Sequence, residues 1–173
     1  MAAFIPTANS GEVVLLPGDF YFHSPAVHKT QPPQLRTLLG SCVSIILWHP
    51  ERCLAGMSHS ILPERAKSTQ TLALDGRYCD EAISLFCQEV QRAGAQPSQF
   101  DVYLVGGGQM YATAKEEYVI GERNVIATRH FLKQAGFRLR SEHVGEQDYR
   151  KVEIDLTSGN VTVVYRNQRL PLT

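Results

Sequence analysis

Two rhythms of apolar and polar residues run along the chain. Short apolar runs bounded by Gly or Pro predict strands at Val13–Pro17, Leu35–Leu39, Val43–Trp48, Cys53–Leu62 and Phe100–Val105. A 3.6-residue rhythm takes over from Tyr78 to Ala93, where Cys79, Ile83, Phe86, Cys87 and Val90 make one apolar stripe and Gly94 supplies the stop. Asn124–Ala135 repeats this pattern through Ala127, Phe131 and Ala135, with Asn124 expected as N-cap and Gly136 as the stop. Alternation returns in Lys151–Leu156 and Asn160–Tyr165 around Thr157-Ser158-Gly159, a hairpin signature. A proline-bearing loop is expected around Pro25, Pro32 and Pro33, and a polar surface loop over Glu64–Arg77. Strands cluster toward both ends, so the expected fold is mixed α/β (α+β): a layered β-sheet sandwich with two main helices packed on the sheets.

A length of 173 residues predicts one domain, residues 1–173, with 1–11 as a flexible tail. A chain of this size buries about 70% of its unfolded surface and can build a core without staples. Met1–Gly11 has neither a charged leader nor a long apolar stretch, and no apolar run nears the roughly 18 residues of a membrane span, so a cytoplasmic protein without membrane insertion is expected. The 17 basic residues balance the 17 acidic ones, which argues against nucleic-acid binding. That balance averages two unlike parts: residues 1–122 carry 8 basic and 12 acidic side chains, residues 123–173 carry 9 and 5.

Four cysteines, Cys42, Cys53, Cys79 and Cys87, are too few and too irregular for a disulfide framework. Cys79 and Cys87 belong to the helix stripe. Cys42 follows Gly40-Ser41, a kink that exposes a sulfur at a strand end and turns backbone N–H groups toward an oxyanion. His59 comes seventeen residues later, and if the flanking strands pair, thiol and imidazole meet, the minimal apparatus for covalent acyl transfer. Two other readings stay open: simple packing of a Cys and a His on adjacent strands, and a metal site from Cys42, His49, Cys53 and His59, whose spacing matches no standard knuckle. Gly106-Gly107-Gly108 lacks the register of a nucleotide cradle and is expected to let backbone approach the Cys42 strand closely.

The segments Thr37-Leu38-Leu39-Gly40-Ser41-Cys42-Val43 and Gly56-Met57-Ser58-His59-Ser60-Ile61-Leu62-Pro63 resemble the chemoreceptor glutamine deamidase family, CheD. Leu16-Pro17-Gly18-Asp19-Phe20-Tyr21, Gly106-Gly107-Gly108-Gln109-Met110-Tyr111 and Ile120-Gly121-Glu122-Arg123-Asn124-Val125 resemble three further family segments in order. The resemblance implies a cofactor-free, metal-free amidase that converts glutamines of methyl-accepting chemotaxis receptors to glutamate, with Cys42 as nucleophile, His59 as its base and acid, and a CheC-type phosphatase as a possible further partner. Some esterase action on receptor methyl esters is implied as well. Three places depart from the family pattern. The threonine that orients the histidine is expected six residues before the cysteine, where Arg36 stands; Thr37, one residue on, falls on the opposite face of a regular strand and is the candidate third member. The late Gly-Gly-x-x-Gly-Arg segment reads Val144-Gly145-Glu146-Gln147-Asp148-Tyr149-Arg150, and Tyr103 replaces a lysine. Arg36 also motivates the alternative of a non-catalytic receptor- or CheC-binding module. Arg138, Arg140, Arg150 and Lys151 are expected to steer the domain to acidic receptor helices.

Overall fold

The computed structural model describes residues 11–27, 33–66, 73–110 and 119–173; the expected tail, apart from Gly11, and the middle of the expected polar loop lie outside them. The described chain forms ten strands and two helices. The strands are β1 (Glu12–Val14), β2 (Phe20–His23), β3 (Gln34–Leu39), β4 (Val43–His49), β5 (Leu54–Ser58), β6 (Asp101–Gly106), β7 (Arg138–Val144), β8 (Arg150–Asp155), β9 (Val161–Tyr165) and β10 (Gln168–Leu172). The helices are α1 (Cys79–Arg92) and α2 (Ile120–Gln134). One sheet has the order β1-β3-β8-β9-β10, the other β2-β5-β4-β6-β7. The layered α+β sandwich expected from the sequence is the architecture found.

Strand β4 explains the layering. All seven of its residues are buried, because it lies between β5 and β6 and is covered on both faces. Val43, Ile45 and Leu47 point to the helices, where they join Ile83, Phe86 and Val90 of α1 and Val125 and Leu132 of α2. Ile46 and Trp48 point the other way, into a core between the sheets shared with Leu35 and Leu39 of β3, Val152 and Ile154 of β8, and Val161 and Val163 of β9. The result is sheet on sheet on helices.

Segment Gly40-Ser41-Cys42 carries the chain from β3 in the first sheet to β4 in the second, so the two strands predicted around the Gly-Ser kink belong to different sheets. The kink is thus a crossing between layers.

Three strands escape the apolar pattern. Strand β2, Phe-Tyr-Phe-His, is too short to show alternation, and its four residues are all buried, Phe20 packing tilted against Phe86 at a centroid distance of 4.6 Å. Strands β7 and β10 are sheet edges with mostly polar or half-exposed side chains, and β10 contains Pro171, a residue tolerated only where no inward ladder bond is needed. Helix α2 begins at Ile120, four residues before the expected cap; Asn124 lies in its second turn and caps nothing.

Gly56 on β5 lets the Phe86 ring settle on the sheet, since a Cβ there would overlap that ring. Phe86 is fully buried in the sheet–helix core. Phe86→Ala is expected to lower stability by about 3–5 kcal/mol in urea unfolding; a loss below about 1 kcal/mol would contradict this packing.

Candidate active site

The site forms where the chain crosses between sheets. Strands β4 and β5 pair antiparallel with Ile46 opposite Met57, and the same register continues to a bridge between Val43 and Ser60. Extending it puts His59 opposite Ser44 and Cys42 two positions along on the same face. Diagonal neighbours of this kind are about 7–8 Å apart at the backbone, a gap that an imidazole and a thiol can close. Both side chains face the space between the sheets; Cys42 is half-buried against that core and His59 is almost fully buried.

From the other sheet, Thr37 reaches across. Leu35, Thr37 and Leu39 point inward on β3, whereas Arg36 points outward and pairs with Glu12 at 3.1 Å. The Thr37 hydroxyl lies 2.7 Å from His59 Nδ1 and 2.7 Å from the Leu15 carbonyl oxygen. Thr37 has a single proton to donate and the Leu15 carbonyl can only accept. That proton therefore goes to Leu15, and Thr37 Oγ1 accepts from the imidazole. His59 is thereby held as the Nδ1–H tautomer, and its Nε2 keeps the lone pair. The alternation that separates Arg36 from Thr37 is what turns Thr37 toward the imidazole.

The turn before Cys42 is fixed from behind. Gly108 N–H donates to Gly40 O at 2.8 Å, Gly107 N–H donates to Cys42 O at 2.8 Å, and the Asn124 side-chain amide donates to Ser41 O at 3.1 Å. Gly106 adopts φ +116°, and a Cβ there would overlap the Cys42 carbonyl, so the glycine run does bring one backbone hard against the other. With these three carbonyls taken up by other donors, the N–H groups of Ser41 and Cys42 meet no backbone acceptor among the described residues. Such donors can hold a developing oxyanion.

Burial pushes the Cys42 thiol above its ordinary value, partly offset by its own backbone N–H. Burial also pushes His59 below its ordinary value, against the upward pull of the Leu15 carbonyl and the Asp19 carboxylate. Both shifts favour uncharged thiol beside neutral imidazole at rest.

The other candidates fall elsewhere. His49 packs edge-on against Phe100 on the helix side, at the opposite end of β4 from Cys42, and Cys53 follows it in the β4–β5 turn, so the four possible metal ligands do not converge. Among the described residues no group of three or more His, Cys, Asp or Glu side chains could hold a metal ion. Cys79 is buried in the helix core. Arg150, expected as part of a steering surface, is fully buried, donating to the backbone oxygens of His143 and Gly145 and lying over the Tyr165 ring; Arg140 pairs with Asp101 and Lys151 with Glu153. Burial thus removes Arg150 from the expected steering set, while Arg138 and Arg140 are exposed.

Reasoning from the sequence missed Leu15 and Asp19, and it assigned Asn124 to a cap. Their segments stood out only as motifs.

At one seam of this sheet–sheet–helix sandwich lie a thiol, an imidazole with one tautomer fixed, and two backbone N–H groups without a backbone acceptor among the described residues, the kinds of group that acyl transfer through a thiol uses. A family model described as CheD chemotactic sensory transduction matches residues 61–165. The probable chemoreceptor glutamine deamidase CheD 3 of Dechloromonas aromatica is 41% identical over 155 residues, covering 89% of this chain and 87% of that protein. A probable chemoreceptor glutamine deamidase CheD of Pseudomonas savastanoi pv. phaseolicola is 37% identical over 155 residues, 88% of this chain and 83% of its own. One from Methanococcus vannielii is 31% identical over 137 residues, 79% of this chain and 88% of its own. Among solved structures, the Bacillus licheniformis hypothetical protein YfiH aligns over 66% of this chain and 46% of its own with a TM-score of 0.41 and 16% identity, too loose to bear on the fold. The chain belongs to the CheD family.

Thiolate is the form that alkylates. Iodoacetamide labelling of Cys42, followed by peptide mapping across pH, is expected to rise with a midpoint above the ordinary cysteine value of about 8.5, while Cys79, pushed up to about 12 by burial, stays unlabelled. A Cys42 midpoint below about 7 would mean a standing thiolate–imidazolium pair and contradict the neutral resting state.

Proposed function

We propose that this chain is a cysteine-dependent protein-glutamine deamidase that acts on the cytoplasmic glutamines of methyl-accepting chemotaxis receptors. The observation that carries the reading is the Thr37–His59 hydrogen bond, which leaves His59 Nε2 as the base on the face it shares with Cys42. The names of the relatives support the substrate class.

In this reading Nε2 takes the Cys42 proton as the sulfur attacks the glutamine Cδ. Concerted transfer suits the neutral pair, because neither charged form has to stand in the buried site before substrate arrives. The carbonyl oxygen becomes an oxyanion facing the N–H groups of Cys42 and Ser41. Collapse breaks the C–N bond, and the imidazolium returns its proton to the leaving nitrogen, releasing ammonia and a Cys42 thioester. His59 then deprotonates a water that attacks the thioester, and the Cys42 thiolate leaves and is reprotonated. The net change is one amide and one water to one carboxylate and one ammonium. Thr37 keeps Nδ1 protonated throughout. No helix among the described residues is long and apolar enough to cross a membrane, and the reading places the chain in the cytoplasm, beside the receptor domains and any CheC-type phosphatase that joins them.

The test is conversion of glutamine to glutamate in a soluble receptor cytoplasmic fragment, mapped by mass spectrometry. Cys42→Ala should abolish it. Thr37→Val, which keeps the shape and removes the acceptor, should lower turnover by about 10- to 100-fold, less than the full 10²–10⁴-fold that a general base contributes. An unchanged map with Cys42→Ala would overturn the enzyme reading in favour of a binding module.

A further inference from the structure

We infer that Asn124 is a positioning residue for the reaction: its carboxamide clamps the strand ends that carry Cys42 and His59 and aims the Cys42 N–H at the oxyanion. The inference rests on the proposed roles of Cys42 and His59.

The β4–β5 ladder runs out at the Val43–Ser60 bridge. Beyond it the strands part, since the N–H groups of Ile61 and Leu62 turn away to the Arg77 carbonyl, at 2.9 and 3.0 Å. Ser41 O is left without a strand partner. Asn124, fully buried in the second turn of α2, fills the gap: its Nδ2 donates to Ser41 O and to Ile61 O, each at 3.1 Å. Both protons of one amide are thus spent on two carbonyls, one just before the thiol and one two residues past the imidazole. Together they hold the separation of the reacting pair where the sheet no longer does.

A trans peptide points its C=O and N–H in opposite directions. Drawing Ser41 O toward α2 therefore turns the N–H of Cys42 away from α2 and toward the site, on the side where the thiol lies. The Gly108 bond to Gly40 O likewise fixes the peptide that carries the Ser41 N–H.

Stability alone does not account for an asparagine here. Asparagine is a poor residue for a helix interior, and Asn124 Oδ1 is buried without a partner among the described residues, an unfavourable state that leucine would avoid. The two donors are what the position supplies.

Asn124→Ala and Asn124→Asp separate the roles, with deamidation of the receptor fragment and Cys42 alkylation as readouts. Thr128→Val is the control, one turn further along α2 and equally buried. The expected result is a kcat at least 30-fold lower in the Asn124 variants with KM within threefold, and an alkylation midpoint shifted upward as the N–H loses its aim on the sulfur. Thr128→Val should keep kcat within threefold, whatever it does to melting. Folded Asn124 variants with kcat within threefold of wild type would overturn the inference, as would an equal kcat loss in Thr128→Val, or failure of both Asn124 variants to fold. If Cys42→Ala still converts glutamine, the underlying reading falls instead, so the two failures are told apart.

Discussion

One hydrogen bond joins the two sheets where the chain passes between them. His59 lies between β5 and the Val43–Ser60 bridge of one sheet, Thr37 lies in β3 of the other, and the bond from Nδ1 to Oγ1 fixes the imidazole by its far side. Because the Thr37 proton is committed to Leu15 O, the bond has only one direction, and that direction decides which ring nitrogen is basic. An interaction of this kind depends on the whole sandwich, since any sliding of one sheet over the other would break it. The inter-sheet core, from Leu35 and Leu39 on one side to Ile46 and Trp48 on the other, holds the hydroxyl and ring in register.

Backbone geometry does the rest. Carbonyls 40, 41 and 42 accept from Gly108, Asn124 and Gly107, so this short turn is held by three separate donors. The arrangement explains why glycines crowd the β6 end and why α2 starts beside them. Burial then keeps Cys42 and His59 uncharged at rest, which makes deprotonation part of the attack in the proposed reaction.

Much of this could be read from residue order alone. Cys42 and His59 could be put on neighbouring strands because a Gly-Ser kink precedes the cysteine and apolar strands flank both, but only the family resemblance gave them roles. The two-helix, layered sheet class followed from the switch between 2-residue and 3.6-residue rhythms. The edge strands β7 and β10 stayed hidden because half-exposed strands need no apolar alternation, and β2 because four aromatic-rich residues carry no period. Thr37 could be named but not oriented, since the sequence does not say that β3 and β4 lie in different sheets facing one another. Asn124 looked like a cap for the same reason: its partners are 83 and 63 residues away. Arg150, counted among surface cations, lies in the interior, where its guanidinium is bonded to loop carbonyls.

In the proposed reaction the thiol at this seam takes the acyl group of a glutamine. Rapid acid quench of the chain with a glutamine-bearing receptor fragment, followed by peptide mass spectrometry, tests it most directly. The expected result is a transient adduct on Cys42 equal to the substrate less ammonia, which disappears as glutamate product forms and is greatly reduced in Thr37→Val. Glutamate forming at the wild-type rate with no adduct on Cys42 at any quench time, in reactions where hydroxylamine also traps nothing, would contradict it.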